Sequence, residues 1–145
     1  IRFLDNEGKQ AENVFQLIRK DGQIGFRRAA SSSDPLLTEE IIKLAEQHIS
    51  NSGKTVLGSF PDYITKAKNM QASYFDIGDT WNSLTDAQKW AANKHFLDKI
   101  ALKGDQILLS IEKSKINPGS YLETEIEYLI EQKGYRWINQ WSLKK

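Results

Sequence analysis

Two histidines are the scarcest acid–base groups of this chain, and one of them stands among charged neighbours. His95 lies in the run Trp90-Ala91-Ala92-Asn93-Lys94-His95-Phe96-Leu97-Asp98-Lys99. Asp98 follows three residues later, one helical turn on, where a carboxylate can orient an imidazole. Lys94 and Lys99 flank the pair. A histidine beside a lysine is equipped for RNA cleavage without metal: a base for the 2′-hydroxyl and a cation for the phosphorane charge. The same residues also suit a helix-flank histidine with a salt bridge nearby. His48 offers no such company.

Other residues could hold a phosphate or a base. Ser110 closes an apolar run, and Lys113, Ser114 and Lys115 follow it in a loop. Gly119-Ser120 opens a helix whose free amides could take a phosphate, though a plain cap explains the same residues. Trp81, with Asp76, Asp79 and Asn82 around it, could stack a base or cover the core. Arg19, Lys20, Arg27 and Arg28 form the one basic cluster, fit to grip a phosphate backbone or simply to stay solvated. A divalent-metal alternative would use Asp98, Asp105 and Glu112, but acidic-x-Lys spacing is not met at Glu112 and Lys115. No His-x-x-x-His, nucleotide-binding glycine loop or Gly-x-Ser-x-Gly elbow occurs. No cofactor is expected.

The elements that must position these groups alternate. Apolar runs at Thr55–Gly58, Ala72–Ile77, Gln106–Ser110 and Tyr135–Trp141 read as strands. Helices read between them. One starts at Phe60-Pro61-Asp62 and runs to about Met70. A second starts at the capping box Thr85-Asp86-Ala87-Gln88 and stops at Gly104, and a third starts at Ser120-Tyr121-Leu122-Glu123 and stops at Gly134. The fold class expected is α/β: a central sheet with flanking helices, β-α-β-α-β-α-β over 55–141. In such sheets a ligand sits beyond the carboxyl ends of the strands. Ahead of it, Lys20-Asp21-Gly22 joins two apolar runs as a hairpin, and Asp34-Pro35 opens a helix carrying Leu37, Ile41, Leu44, Ala45 and Ile49. Residues 1–54 therefore read as a leader segment suited to partner docking, and 55–145 as the α/β domain.

Composition narrows the classes. The chain has 145 residues, 39% hydrophobic and 27% charged, which is ordinary for one globular domain. A net charge of +1 makes no global call for nucleic acid. The absence of Cys excludes thiolate catalysis, Cys-ligated zinc and disulfides. No apolar run reaches the roughly 20 residues of a membrane span. The chain opens on Ile1 without an initiator Met, which reads as a piece of a longer polypeptide.

A dispersed set of residues carries a resemblance. It comprises Val56-Leu57-Gly58, Phe60-Pro61-Asp62-Tyr63, Trp81-Asn82, Trp90-Ala91-Ala92-Asn93, Phe96-Leu97-Asp98, Gly104-Asp105, Pro118-Gly119-Ser120 with Glu125, Tyr128-Leu129 and Gly134-Tyr135. Over about residues 55–137 this pattern resembles the toxin tails of bacterial contact-dependent growth inhibition (CdiA) and Rhs-repeat effectors. The resemblance implies a carboxyl-terminal toxin, exported on a large surface effector, acting in the target-cell cytoplasm and neutralised by a cognate immunity protein. It further implies a nuclease of the tRNA-cleaving group, a subset of which requires elongation factor Tu.

The combined expectation is a metal-independent ribonuclease acting on tRNA. His95 would be acid or base, Asp98 its orienter, Lys94, Lys113 or Arg19 charge stabilisers, and Ser110 part of the site. Arg19, Lys20, Arg27, Arg28, Trp81, Gly119 and Ser120 would hold the substrate. The alternatives are a metal-dependent DNase toxin and a non-enzymatic protein-binding module.

Overall fold

A computed structural model describes residues 36–145. The predicted hairpin around Asp21, the Asp34 cap and the basic residues Arg19, Lys20, Arg27 and Arg28 lie outside the described residues.

Along the described chain come α1 (Glu39–Glu46), β1 (Lys54–Leu57), α2 (Asp62–Met70), a 3-10 turn at Gly78–Ser83, α3 (Asp86–Leu102) and β2 (Gln106–Leu109). A short 3-10 turn at Lys113–Lys115, α4 (Tyr121–Lys133), β3 (Arg136–Asn139) and β4 (Ser142–Lys144) complete it. The fold is α/β, as expected: a mixed four-stranded sheet of order β1-β2-β4-β3 with flanking helices. β1 and β2 run parallel, pairing Thr55 with Ile107 and Leu57 with Leu109. β4 runs antiparallel to both β2 and β3.

Side chains alternate across a strand, so each sheet face presents its own set. Leu57, Ile107, Leu109 and Leu143 join the larger core with Trp90, Phe96, Leu97 and Ile100 of α3 and Leu122, Ile126 and Leu129 of α4. Val56 turns to the other face and packs with Ala67 of α2, Ala72 and Tyr74. Three layers result. α1, grouped with the leader on sequence, places Ile41 and Ala45 in the larger core and packs on α3.

Local signals fix the helix ends. Thr85 Oγ1 accepts from the Gln88 amide while Gln88 Oε1 accepts from the Thr85 amide, a complete capping box. Ser120 Oγ accepts from the Glu123 amide at the head of α4, and Gly134 at φ 77° closes its tail. α1 starts later than expected, at Glu39, because Thr38 Oγ1 caps it.

Two strand expectations need correction. Ala72–Ile77 is not a strand. Ser73 alone bridges Thr55, after which the backbone bonds elsewhere. The Tyr74 amide donates to the His48 carbonyl, Tyr63 Oη donates to the Phe75 carbonyl, and Gln47 Nε2 donates to the Asp76 carbonyl. The final run Tyr135–Trp141 is one strand and a turn. Asn139 Oδ1 accepts from the Trp141 amide at 2.7 Å and from Ser142 Oγ, reversing the chain into β4.

Candidate active site

The carboxyl ends of the parallel pair open onto a cleft of about 770 Å³. Its floor is Leu57-Gly58-Ser59 from β1, and Ile111 follows β2 on one side. Asn117, Ser120, Tyr121, Leu122 and Glu125 supply the α4 wall, and Asn93 reaches in from α3. Phe75 to Asp79, Trp81 and Asn82 form the opposite wall, with Phe60 and Tyr63 at the mouth. This is the position that sheet topology predicts for a ligand.

The floor depends on a close approach. A Cβ built on Gly58 would lie 1.7 Å from Ser110 Oγ, so no other residue fits beside this serine. Ser110 Oγ accepts from the Ser59 amide at 3.2 Å, and the Ser110 amide donates to the Leu57 carbonyl. Ser110 thus braces the floor.

Glu125 is the most deeply buried of the three acidic residues that line the cleft. It is 9% exposed, on the buried side of α4 with Leu122, Ile126 and Leu129. Its Oε2 accepts from Asn93 Nδ2 at 2.6 Å. Burial disfavours the charged form and pushes the carboxyl up to about 7, with the Asn93 bond opposing. A group poised there can both give and take a proton at neutral pH. Asn93 is 2% exposed, and its Oδ1 has no hydrogen-bond partner among the described residues. Such an acceptor is costly to leave unfilled in a protein interior. Burial, then the Glu125 and Asp76 charges, raise the Tyr63 hydroxyl, which stays protonated and donates to the Phe75 carbonyl at 2.5 Å.

Trp81 stands in the cleft wall as expected, edge-on to Phe75 and Tyr121, with Lys89 Nζ 5.1 Å from its ring centre. Ser120 also lines the cleft, whereas the Gly119 amide is committed to Glu123 Oε1 at 2.6 Å.

The His95 constellation is arranged differently from expectation. His95 Nε2 lies 2.6 Å from Glu46 Oε2 of α1, with Lys99 Nζ 3.7 Å from the same oxygen. Asp98 does not orient it. Asp98 instead accepts from Tyr128 Oη at 2.5 Å and pairs with Lys94 at 3.1 Å and Lys133 at 3.2 Å. Burial works to raise the Asp98 carboxyl, but Lys94, Tyr128 and Lys133 outweigh it and hold the group below its ordinary range. The helical spacing put Asp98 within reach of two partners, and the tyrosine and lysines took it. Neither His95, Asp98 nor Lys94 lines the cleft. Lys113 sits 4.7 Å from the Trp137 ring centre, and its amide donates to Gln140; it too lies outside the cleft lining.

For the metal alternative, Asp105 is fully buried. Its Oδ2 accepts from Thr55 Oγ1 at 2.8 Å, and Oδ1 lies 3.6 Å from Lys103. Among the described residues no group of three or more His, Asp or Glu could hold a metal. No helix among them is long and apolar enough to cross a membrane.

Glu125, Asn93 and Tyr63 carried no role in the sequence reading, yet two of them left a signal. Glu125 interrupts the apolar stripe Leu122, Ile126, Leu129, and Asn93 stands between Trp90 and Leu97 at core spacing. A polar residue on the buried face of a helix is costly unless it is paired or functional. No family model, curated protein or solved structure matches this chain at a significant level, so its site rests on its own geometry.

Proposed function

We propose that this chain is a bacterial toxin enzyme that attacks ribose-bearing units of RNA, tRNA first, with the cleft as its active site. The buried Glu125 carboxyl, raised to about 7 inside a cleft of about 770 Å³, carries the reading. Trp81 offers a stacking surface for a base, and Asn93 Oδ1 offers an acceptor to a sugar hydroxyl. The toxin setting, the immunity protein, delivery into a target cytoplasm and a requirement for elongation factor Tu rest on the resemblance over residues 55–137. In this reading Glu125 replaces His95 as the acid–base group.

Induction of the chain in bacteria tests it. Growth arrest with altered tRNA, abolished by Glu125→Gln, is the expected result. Arrest that persists undiminished in Glu125→Gln overturns the site.

A binding-module reading draws on the exposed Ile138 (51%) and Trp141 (47%) around the β3–β4 turn. It predicts growth arrest with tRNA chemically intact.

A further inference from the structure

The sign of charge that the cleft can stabilise decides which bond of a ribonucleotide it breaks. Cleavage of the phosphodiester builds negative charge on a phosphorane and calls for cations or strong donors at that oxygen. Cleavage of the bond between ribose C1′ and a base nitrogen builds positive charge on the sugar, as in other glycosidic cleavages, and calls for carboxylates. Among the described residues lining the cleft, Asp76, Asp79 and Glu125 are acidic, and none is Lys, Arg or His. Lys89 lies against Trp81 without lining the cleft. Asn93 adds an independent observation: it is 2% exposed, it lines the cleft, and its Oδ1 lacks a donor. A ribose hydroxyl supplies one.

We infer that the cleft hydrolyses the N-glycosidic bond of a ribonucleoside unit, releasing the free base, with Glu125 as acid and then base. The inference rests on the cleft being the active site. Protonated Glu125 gives its proton to the base nitrogen as the C1′–N bonding pair moves onto that nitrogen. The base leaves neutral, and the ribosyl oxocarbenium ion faces the new Glu125 carboxylate. Water adds through its oxygen at C1′, and Glu125 takes the proton it loses. One water is consumed, one base and one C1′ hydroxyl are formed, and Glu125 returns to its starting state. The Asn93 amide, 2.6 Å from Glu125 Oε2, holds the carboxyl in place throughout. Trp81 stacks on the base that leaves.

Two sources carry this bond, a nucleotide within RNA and a free nucleotide. The purified full chain is therefore incubated separately with total bacterial tRNA and with adenosine 5′-monophosphate. Released bases are resolved by liquid chromatography, and the tRNA is run in parallel on a denaturing gel. The expected result is free base from one of the two substrates, with no strand cleavage beyond that of untreated tRNA. Glu125→Gln lowers release by at least about 100-fold. Trp81→Ala, at the cleft wall, raises KM by about 10-fold, the loss of one base stack. Circular dichroism confirms that both variants fold.

Strand cleavage without free base, abolished by Glu125→Gln, overturns the glycosidic assignment and keeps the cleft as active site. Strand cleavage or base release that survives Glu125→Gln overturns both. Release of no base from either substrate, with tRNA intact, overturns the glycosidic assignment on these substrates. Growth arrest by the Glu125→Gln chain then decides the fate of the cleft.

Discussion

Asn93 Nδ2 donates to Glu125 Oε2 at 2.6 Å across the packed faces of α3 and α4, joining residues 32 apart in the chain. The bond leaves Asn93 Oδ1 unfilled and holds one carboxylate oxygen of a group that burial would otherwise keep protonated. A helix pair that packs Trp90, Leu97, Leu122 and Leu129 to full or near-full burial thus spends two core positions on an amide and an acid.

Stability should fall as pH rises across the Glu125 titration. Its carboxyl titrates near 7 in the fold against an ordinary value of 4.5, so between these values the folded state holds the proton more tightly. The stabilisation from protonation is fully present below about 4.5 and is lost as pH climbs through about 7, on the order of 3 kcal/mol in all. Thermal melts at pH 4.5 and 7.5 should differ less in Glu125→Gln than in the parent chain. An unchanged pH dependence in that variant refutes the raised carboxyl.

Removing the Asn93 amide should move the same titration further up. The Asn93 bond favours the charged carboxylate, so Asn93→Ala loses an opposing influence on the burial shift. The Glu125 limb of a pH–rate profile, or its carboxyl carbon shift by NMR, should move to higher pH. A move downward contradicts the assigned direction.

Gly58→Ala should collapse the cleft floor, since the new Cβ would meet Ser110 Oγ at 1.7 Å. The loss should be about 1–3 kcal/mol, as for other overpacked sites. Adding Ser110→Gly removes the Oγ and the Cβ that stand nearest and should recover part of it, at the expense of the Ser59 amide bond. A double-mutant cycle with no coupling shows that the two positions do not touch.

His95→Ala should loosen α1. The His95–Glu46 contact at 2.6 Å ties α3 to α1, and its loss should cost about 1 kcal/mol given the half-exposed Glu46. Amide exchange should quicken along Glu39–Glu46, with the Glu125 titration unmoved. Slow exchange in α1 together with a shifted Glu125 limb would tie His95 to the cleft after all.

Tyr128→Phe should weaken Asp98 less than it would an isolated acid. The hydroxyl bond at 2.5 Å is lost, but Lys94 and Lys133 remain at 3.1 and 3.2 Å. Asp98 should titrate higher than in the parent chain by NMR, with a loss of about 1–2 kcal/mol.

Helices α2, α3 and α4 and the parallel strands were legible because their causes are local. Thr85 and Gln88 cap each other, Ser120 caps its own turn, Gly134 takes the left-handed conformation, and Val56-Leu57 and Ile107 to Leu109 are apolar runs bounded by glycine or charge. The cleft's location at the carboxyl ends of β1 and β2 followed from that order. What failed were choices between partners distant in sequence. Ala72–Ile77 has strand composition, yet beyond Ser73 its backbone bonds to Tyr63, His48 and Gln47 rather than to a strand. His95 and Asp98 sit one turn apart, yet Glu46 and Tyr128 reach them first.

The sequence by itself determined the helices and the parallel strands with their caps, since these depend on neighbours within a few residues. Only the tertiary structure decided that Asn93 and Glu125 are buried against each other, that a cleft opens beside them, and that Lys94, His95 and Asp98 lie outside its lining. Those outcomes depend on how α3, α4 and α1 pack across the sheet, where side chains 32 and 49 residues apart compete for contact.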